Sequence, residues 1–385
     1  MNEDWRHGGF GLYLHWPFCA SKCPYCDFNS HVAAHIDQSR WKAAYLSEID
    51  RLAEETGPRV LNTVFLGGGT PSLMDPELVD AILGRIRARW PVANDLEVTL
   101  EANPGSVEAG RFRAYAQAGV NRVSLGIQAL NDEDLRRLGR LHSASEARGA
   151  FEIARSAFAR VSFDLIYARQ YQDLAAWEQE LREAALMAVD HLSVYQLTIE
   201  EGTAFGARHA AGGLKGLPDD ELSADMYLKT NELLEELGMP AYEISNHARP
   251  GAESRHNLIY WRYGDYGGIG PGAHGRLTID GTRYGTDTPL QPDRWLNQVE
   301  TTGSGERSRQ PIPDLDQAGE YLMMGLRLIE GIDMDRFARL SGQPLSGSKI
   351  DRLVDLGMVE VEGSRLRATR SGRPVLNALI RELLP

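Results

Sequence analysis

Along the first 200 residues, apolar and polar positions switch repeatedly between the two-residue period of strands and the spacing of helices. Residues 11–16 read as a short apolar strand stopped by Pro17. Trp41, Tyr45, Ile49 and Leu52 then recur at helical spacing, with Ser39 as the expected N-cap and an end near Glu55. Residues 60–66 form the next expected strand, closed by Gly67-Gly68-Gly69-Thr70-Pro71. A helix over 76–90 leads to a strand over 96–101, which runs into Asn103-Pro104-Gly105. Helices are expected over 109–118, 132–138, 145–159 and 175–187, and strands over 122–127, 160–167 and 191–198. Alternation of this kind builds right-handed βαβ units on a parallel sheet. Six units predict an α/β fold, an incomplete (β/α)6 TIM-like barrel, with its site at the carboxyl ends of the strands.

Beyond residue 200 the regularity weakens. A long helix is expected over 218–237 and a strand over 242–244, while 281–312 carries scattered Gly, Pro, Thr and Ser and reads as a connector with little core. Helices over 316–329, 333–340 and 346–356, a hairpin around Glu362-Gly363-Ser364 and a last helix resemble a winged helix. The expected organisation is therefore a barrel core over 1–240, an extension over 241–312 and a mostly helical, winged-helix-like module over 313–385. DNA binding by that module is disfavoured by a net charge of −13 and the lack of a dense basic helix, which leaves a packing or lid role.

A chain of 385 residues exceeds one ordinary core, and 42% hydrophobic with 25% charged residues is the make-up of a folded soluble protein. Residues 1–5 show no basic region leading into an apolar run, and no stretch approaches the roughly 20 apolar residues of a membrane span. A cytoplasmic protein is expected.

The chain has only three cysteines, spaced Cys-x3-Cys-x2-Cys at Cys19, Cys23 and Cys26, just after the first strand. Thiolates so placed converge on a metal centre more readily than they form disulfides, and their concentration in one motif fits a reducing compartment. Three ligands are one short of a closed zinc site or an ordinary iron–sulfur cluster. Two completions stand: a zinc ion with His15 or His31 as fourth ligand, or a cubane with one iron open to a small molecule. An open iron suits a ligand with both an amine and a carboxylate, which S-adenosylmethionine provides while yielding radicals. Gly67 to Pro71 would let backbone groups approach such a ligand closely. Glu101, Gln128 and Asp164 lie at or near the ends of the following strands. Singly each reads as well as a satisfied core polar group; together, behind a three-cysteine loop, they read as one pocket.

The stretch Tyr13-Leu14-His15-Trp16-Pro17-Phe18-Cys19 with Cys23 and Tyr25-Cys26, the Gly67 to Pro71 turn, Glu101, Gly126-Ile127-Gln128, Leu138-Gly139-Arg140-Leu141-His142 and Asp164-Leu165-Ile166-Tyr167 resembles radical S-adenosylmethionine proteins related to oxygen-independent coproporphyrinogen III oxidase. The resemblance runs from about residue 10 to the C-terminus. It implies a [4Fe–4S] cluster on Cys19, Cys23 and Cys26 with S-adenosyl-L-methionine on the fourth iron. It also implies a cofactor site lined by Tyr13, Gly68, Gly69, Thr70, Glu101, Gln128, Arg140, Asp164 and Thr198. In that site Arg140 suits the cofactor carboxylate, and Asp164 or Glu101 the ribose hydroxyls or the amino group.

Two departures separate the chain from the oxidase itself. The oxidase continues Cys-x-Cys after the third ligand, where this chain has Cys26-Asp27-Phe28, and it carries an N-terminal arm for which the position of Cys19 leaves no room. The run Phe28-Asn29-Ser30-His31 instead resembles the haem-chaperone branch, whose haem signature His-Asn-x-x-Tyr-Trp reads here His256-Asn257-Leu258-Ile259-Tyr260-Trp261. Spacing alone favours a packed segment with His256 hydrogen-bonded. The resemblance moves the reading to haem binding by His256, Asn257, Tyr260 and Trp261, because histidine is a common axial ligand and aromatics stack on porphyrins. His274 also fits the branch, near the cofactor and not as a ligand. One stretch departs from the family: Ala168-Arg169-Gln170-Tyr171-Gln172 stands where a Gly-Leu-Pro-Gly-Gln-type loop is common. The expected function is a haem chaperone that hands haem to apoproteins such as respiratory cytochromes, with no nucleic-acid partner; peripheral membrane association stays open. The alternative is oxidative decarboxylation of coproporphyrinogen III.

Overall fold

The computed structural model describes residues 3–33 and 35–384, so Met1 and Asn2 of the N-terminal stretch lie outside the described residues. Six strands follow the expected alternation: β1 (Phe10–Trp16), β2 (Leu61–Gly68), β3 (Val92–Ala102), β4 (Arg122–Gln128), β5 (Arg160–Tyr167) and β6 (His191–Gln196). They lie side by side in chain order and all run parallel. The sheet does not close on itself. On one flank β7 (Asn246–Ala248) pairs antiparallel with β6. On the other, β8 (Asp265–Ile269) runs parallel to β1, and β9 (His274–Ile279), β10 (Thr282–Asp287) and β11 (Ser308–Pro311) follow antiparallel. The incomplete barrel is thus extended at both edges by strands from the second half of the chain.

Alternation along each strand sorts the two faces. Leu12, Leu14 and Trp16 of β1, Val64 and Leu66 of β2, and Val123, Leu125 and Ile127 of β4 pack against the surrounding helices in one large core. The opposite, inner face is polar. It carries Thr63, Glu97, Thr99, Glu101, Arg122, Ser124, Ser162 and Asp164, with neighbours matched in register as Thr63 with Glu97, Glu101 with Ser124, and Ser124 with Ser162. Arg122 and Glu97 satisfy each other there at 3.3 Å, both buried.

Four expectations are corrected. The helix Gln38–Thr56 is capped by Asp37, whose side chain accepts from the Arg40 amide, and not by Ser39. The sixth strand ends at Gln196, before Thr198. Residues 242–244 are bends, and the strand of that region is β7. Residues 281–312 are no connector: they hold β10, β11 and the helix Pro292–Thr302, whose fully buried Trp295 stacks on Trp41 at 5.5 Å between ring centres.

The C-terminal module has helices Asp314–Gly325, Met334–Ser341 and Gly347–Asp355, the hairpin Val359–Glu362 and Arg365–Ala368, and the helix Leu376–Leu383. A short strand, Ile332–Asp333, adds to the hairpin and completes the winged-helix-like pattern. Its core is separate from the barrel's: Ala318, Leu322, Phe337, Leu353, Leu366 and Leu379 cluster together with Tyr263 of the preceding segment. Buried Arg336 ties it to the N-terminus through Asp4 at 2.7 Å. No helix among the described residues is long and apolar enough to cross a membrane.

Candidate cofactor site

The three cysteines leave β1 on a loop folded over the carboxyl ends of β2 to β5. Cys19, Cys23 and Cys26 line a cavity of about 140 Å³ with Gly68, Gly69, Thr70, Glu101, Gln128, Arg140 and Asp164. The loop is pinned from below. The Gly69 amide donates to the Trp16 carbonyl at 2.7 Å and the Thr70 amide to the Phe18 carbonyl at 2.8 Å. A Cβ on Gly69 would stand 2.7 Å from the Phe18 carbonyl oxygen, so only glycine lets the two segments meet. Two side chains donate to sulfur: Thr70 Oγ1 to Cys19 at 3.3 Å and Arg140 Nη1 to Cys23 at 3.2 Å. Arg140 Nη2 holds the Gly126 carbonyl at 2.7 Å, while its buried Nε has no partner.

The donor set suits a cluster better than zinc. His15 engages the Tyr13 hydroxyl and the Asn29 carbonyl, and His31 Nε2 contacts the Asn29 side chain, so neither is turned to the thiols as a fourth ligand. Among the described residues no three His, Cys, Asp or Glu groups are gathered as a single metal ion requires.

Glu101 and Asp164 face each other across the inner sheet. Burial, reinforced by the Asp164 charge, pushes the Glu101 carboxyl up to about 8, against one hydrogen bond from the Gly68 amide. Burial raises Asp164 to about 6, opposed by hydroxyls of Ser193 and Ser124. Gln128 closes the wall from a β-bulge, where its φ of 76° turns the chain toward the cavity. Raised carboxyls keep protons that the unfolded chain releases, so the unliganded fold should lose stability as pH rises from about 4 to about 8. Glu101→Gln should flatten that dependence in urea midpoints taken across the range; an unchanged slope would show that Glu101 does not carry it.

Two of the nine expected cofactor residues stand apart from the cavity. Tyr13 lies behind it, stacked on Phe65 and hydrogen-bonded to His15 at 3.0 Å. His15 in turn fills the space a Gly68 Cβ would need. Thr198 lines a different cavity, with Tyr167, Gln196 and Tyr227. Sequence reasoning passed over Ser124 and Asn103 of the lining. The two-residue period on β4, Ser124-Gly126-Gln128, was the available signal for the first.

Residues 256–261 lie on the helix Arg255–Trp261, packed on the inner face of β1 and β2. His256 is 1% exposed. One ring nitrogen bonds Thr63 Oγ1 at 2.7 Å, the other the Tyr260 hydroxyl at 2.8 Å, and its amide donates to Glu97. The ring stacks on Phe65, and burial pushes its pKa down to about 3. Tyr260 packs edge-on against Tyr266 at 4.5 Å. Asn257 and Trp261 are half-buried, and the buried indole nitrogen of Trp261 has no partner. His274 opens β9 in an exposed position.

A parallel half-barrel with a three-cysteine loop over its carboxyl edge and a winged-helix-like C-terminal module defines a radical S-adenosylmethionine fold of the coproporphyrinogen oxidase type. The model of the radical SAM superfamily matches residues 13–183, and that of the HemN C-terminal domain residues 312–375. The solved coproporphyrinogen III oxidase (HemN) of Escherichia coli superposes with a TM-score of 0.81 at 20% identity, over 99% of this chain and 92% of that one. Closer in sequence is the Heme chaperone HemW of Escherichia coli K12, 37% identical over 96% of each protein. The mitochondrial radical S-adenosyl methionine domain-containing protein 1 of Bos taurus is 38% identical over 97% of this chain and 87% of its own length. The chain belongs to the radical SAM family of the haem chaperone HemW.

Proposed function

We propose that this protein binds haem and passes it to apoproteins such as respiratory cytochromes, and that it carries a [4Fe–4S] cluster and S-adenosylmethionine. The observation that carries the reading is identity of 37% with a protein named Heme chaperone HemW, sustained over nearly the whole of both chains. The likeness to the oxidase, at 20% identity, concerns the fold.

In this reading Cys19, Cys23 and Cys26 hold the cluster, and Gly68, Gly69, Thr70, Glu101, Gln128, Arg140 and Asp164 hold the cofactor. When bound, the pair supplies one-electron chemistry. The protein's own part is electrostatic. Hydrogen bonds from Thr70 and Arg140 to the thiol sulfurs stabilise thiolates and tune the potential of a cluster. Glu101, whose carboxyl burial raises to about 8, would be favoured as a carboxylate beside a cationic amine or sulfonium and would then release its proton to solvent.

Haem titration of the anaerobically reconstituted protein tests the proposal: near-stoichiometric uptake supports it, and no uptake overturns it. Ligation of iron by His256 requires one ring nitrogen to give up its partner, Thr63 or Tyr260, while the other can keep its hydrogen bond. His256→Ala orphans these partners and should lower the unfolding free energy by about 2–4 kcal/mol in urea titrations. Undiminished haem uptake by the folded variant would move the iron ligand elsewhere.

A further inference from the structure

A second cavity, of about 560 Å³, lies between the ends of β5 and β6, the helix Asp220–Glu236 and residues 373–378 of the C-terminal module. Arg373 and Arg327 line it, and neither has a carboxylate within ion-pair distance among the described residues. Nη2 of Arg373 is buried with no hydrogen-bond partner, as is the hydroxyl of Tyr227 on the facing helix. Burial depresses the Arg373 guanidinium below its usual range.

Among the described residues Arg140 of the cysteine cleft shares this lack of a carboxylate partner, whereas four other buried guanidinium groups are paired. The buried guanidinium of Arg122 has Glu97, Arg169 has Asp134, Arg283 has Asp265 and Arg336 has Asp4. Acidic residues outnumber basic ones by 54 to 41, so partners are not scarce. A guanidinium shielded from water without a counter-charge is costly, and a site shaped to receive an anion is the ordinary reason to keep one. The walls around it are mixed: Val194, Ile244, Pro374 and Leu376 are apolar, with Val375 46% exposed at the edge, while Gln196, Thr198, Ser223 and Asp220 are polar. Arg327 also lies over the Trp261 ring, 5.9 Å from its centre, which joins the cavity to the signature helix.

Two guanidinium groups without carboxylate partners, beside a partly apolar wall, match a flat amphipathic molecule that carries its charge as carboxylates at one edge. We infer that this cavity binds the carboxylate edge of a tetrapyrrole, with Arg373 and Arg327 each taking one propionate. The inference rests on the haem-binding reading above and adds a site to it, outside the cysteine cleft and separate from His256.

The test is titration of the full-length protein with haem, with mesoporphyrin IX, and with mesoporphyrin dimethyl ester, which keeps the ring and lacks both charges. Arg373→Met and Arg327→Met should each weaken haem and mesoporphyrin binding about tenfold or more, while the ester binds weakly to all forms alike. Arg373→Lys, which keeps the charge, should retain part of the affinity. Thermal unfolding verifies each variant; if Arg373→Met does not fold, the half-exposed Arg327 carries the test. Haem uptake by the wild type that both Met variants match would overturn this site and leave the haem reading standing. Absence of haem uptake by the wild type would overturn that reading and the tetrapyrrole assignment with it.

Discussion

Replacing any one of Cys19, Cys23 or Cys26 by alanine should abolish the iron content and the broad visible absorbance of the anaerobically reconstituted protein. The chain has three thiols and no spare. A cluster already one protein ligand short of four has little to lose, and the neighbourhood offers no substitute. His15 and His31 are committed to Tyr13 and Asn29. Thr70 and Arg140 are donors to sulfur in this cleft and cannot replace a thiolate. The loss should therefore be near complete for each position, unlike the graded effect expected of Thr70 or Arg140 variants, which alter the hydrogen bonds and leave the ligands. Iron analysis and the absorption spectrum check it. A variant that kept wild-type iron would remove that cysteine from the ligand set.

The largest effect on stability is expected from Glu180→Ala, a loss of about 3–5 kcal/mol in urea unfolding at neutral pH. Glu180 is the counter-charge of Arg169, which is 2% exposed. The same guanidinium meets Asp134 at 2.8 Å and the Ile166 carbonyl at 2.8 Å, and Glu180 also accepts from the Leu130 amide at 2.6 Å. Removing the carboxylate leaves a buried cation half-compensated and an amide without a partner. The site matters because it holds the loop after β5 in shape. Ala168 and Tyr171 take φ of 57° and 61°, a left-handed backbone that costs a side-chain-bearing residue about 1–2 kcal/mol. These are the two positions where the Gly-Leu-Pro-Gly-Gln-type loop has glycine. Here the turn is held instead by the Arg169 network and by the Tyr171 amide donating to the Gly216 carbonyl at 2.6 Å. Glu180→Gln, which keeps an acceptor, should cost less. A loss below about 1 kcal/mol for Glu180→Ala would mean that the loop does not depend on this pair.

The departure in that loop was legible in the letters, but its remedy was not. Arg169 stands 35 residues from Asp134 and 11 from Glu180, and nothing local marks those carboxylates as its partners. The signature helix shows the same limit. Its six letters pointed to a family, while the commitment of His256 depends on Thr63, 193 positions away, and on a sheet face that exists only once β1 and β2 are paired.

By itself, the sequence determined the six parallel strands, the three-cysteine loop at their carboxyl edge, and most of the residues that line the cleft. The strands and the position of the loop follow from periods of two and 3.6 residues and from turn chemistry, which act over a few positions, whereas the set of cleft residues came largely from the family resemblance. The tertiary structure alone decided what joins the sheet at its edges: the parallel pairing of β8 with β1, the antiparallel ribbon drawn from residues 274–311, and the stacking of Trp295 on Trp41. It also decided that Tyr13 stands behind the cleft, that Thr198 belongs to another cavity, and that Arg373 and Arg327 have no carboxylate at ion-pair distance among the described residues. Each of these depends on contacts between distant segments. Local pattern carries no information about them, because burial and pairing are properties of the packed chain.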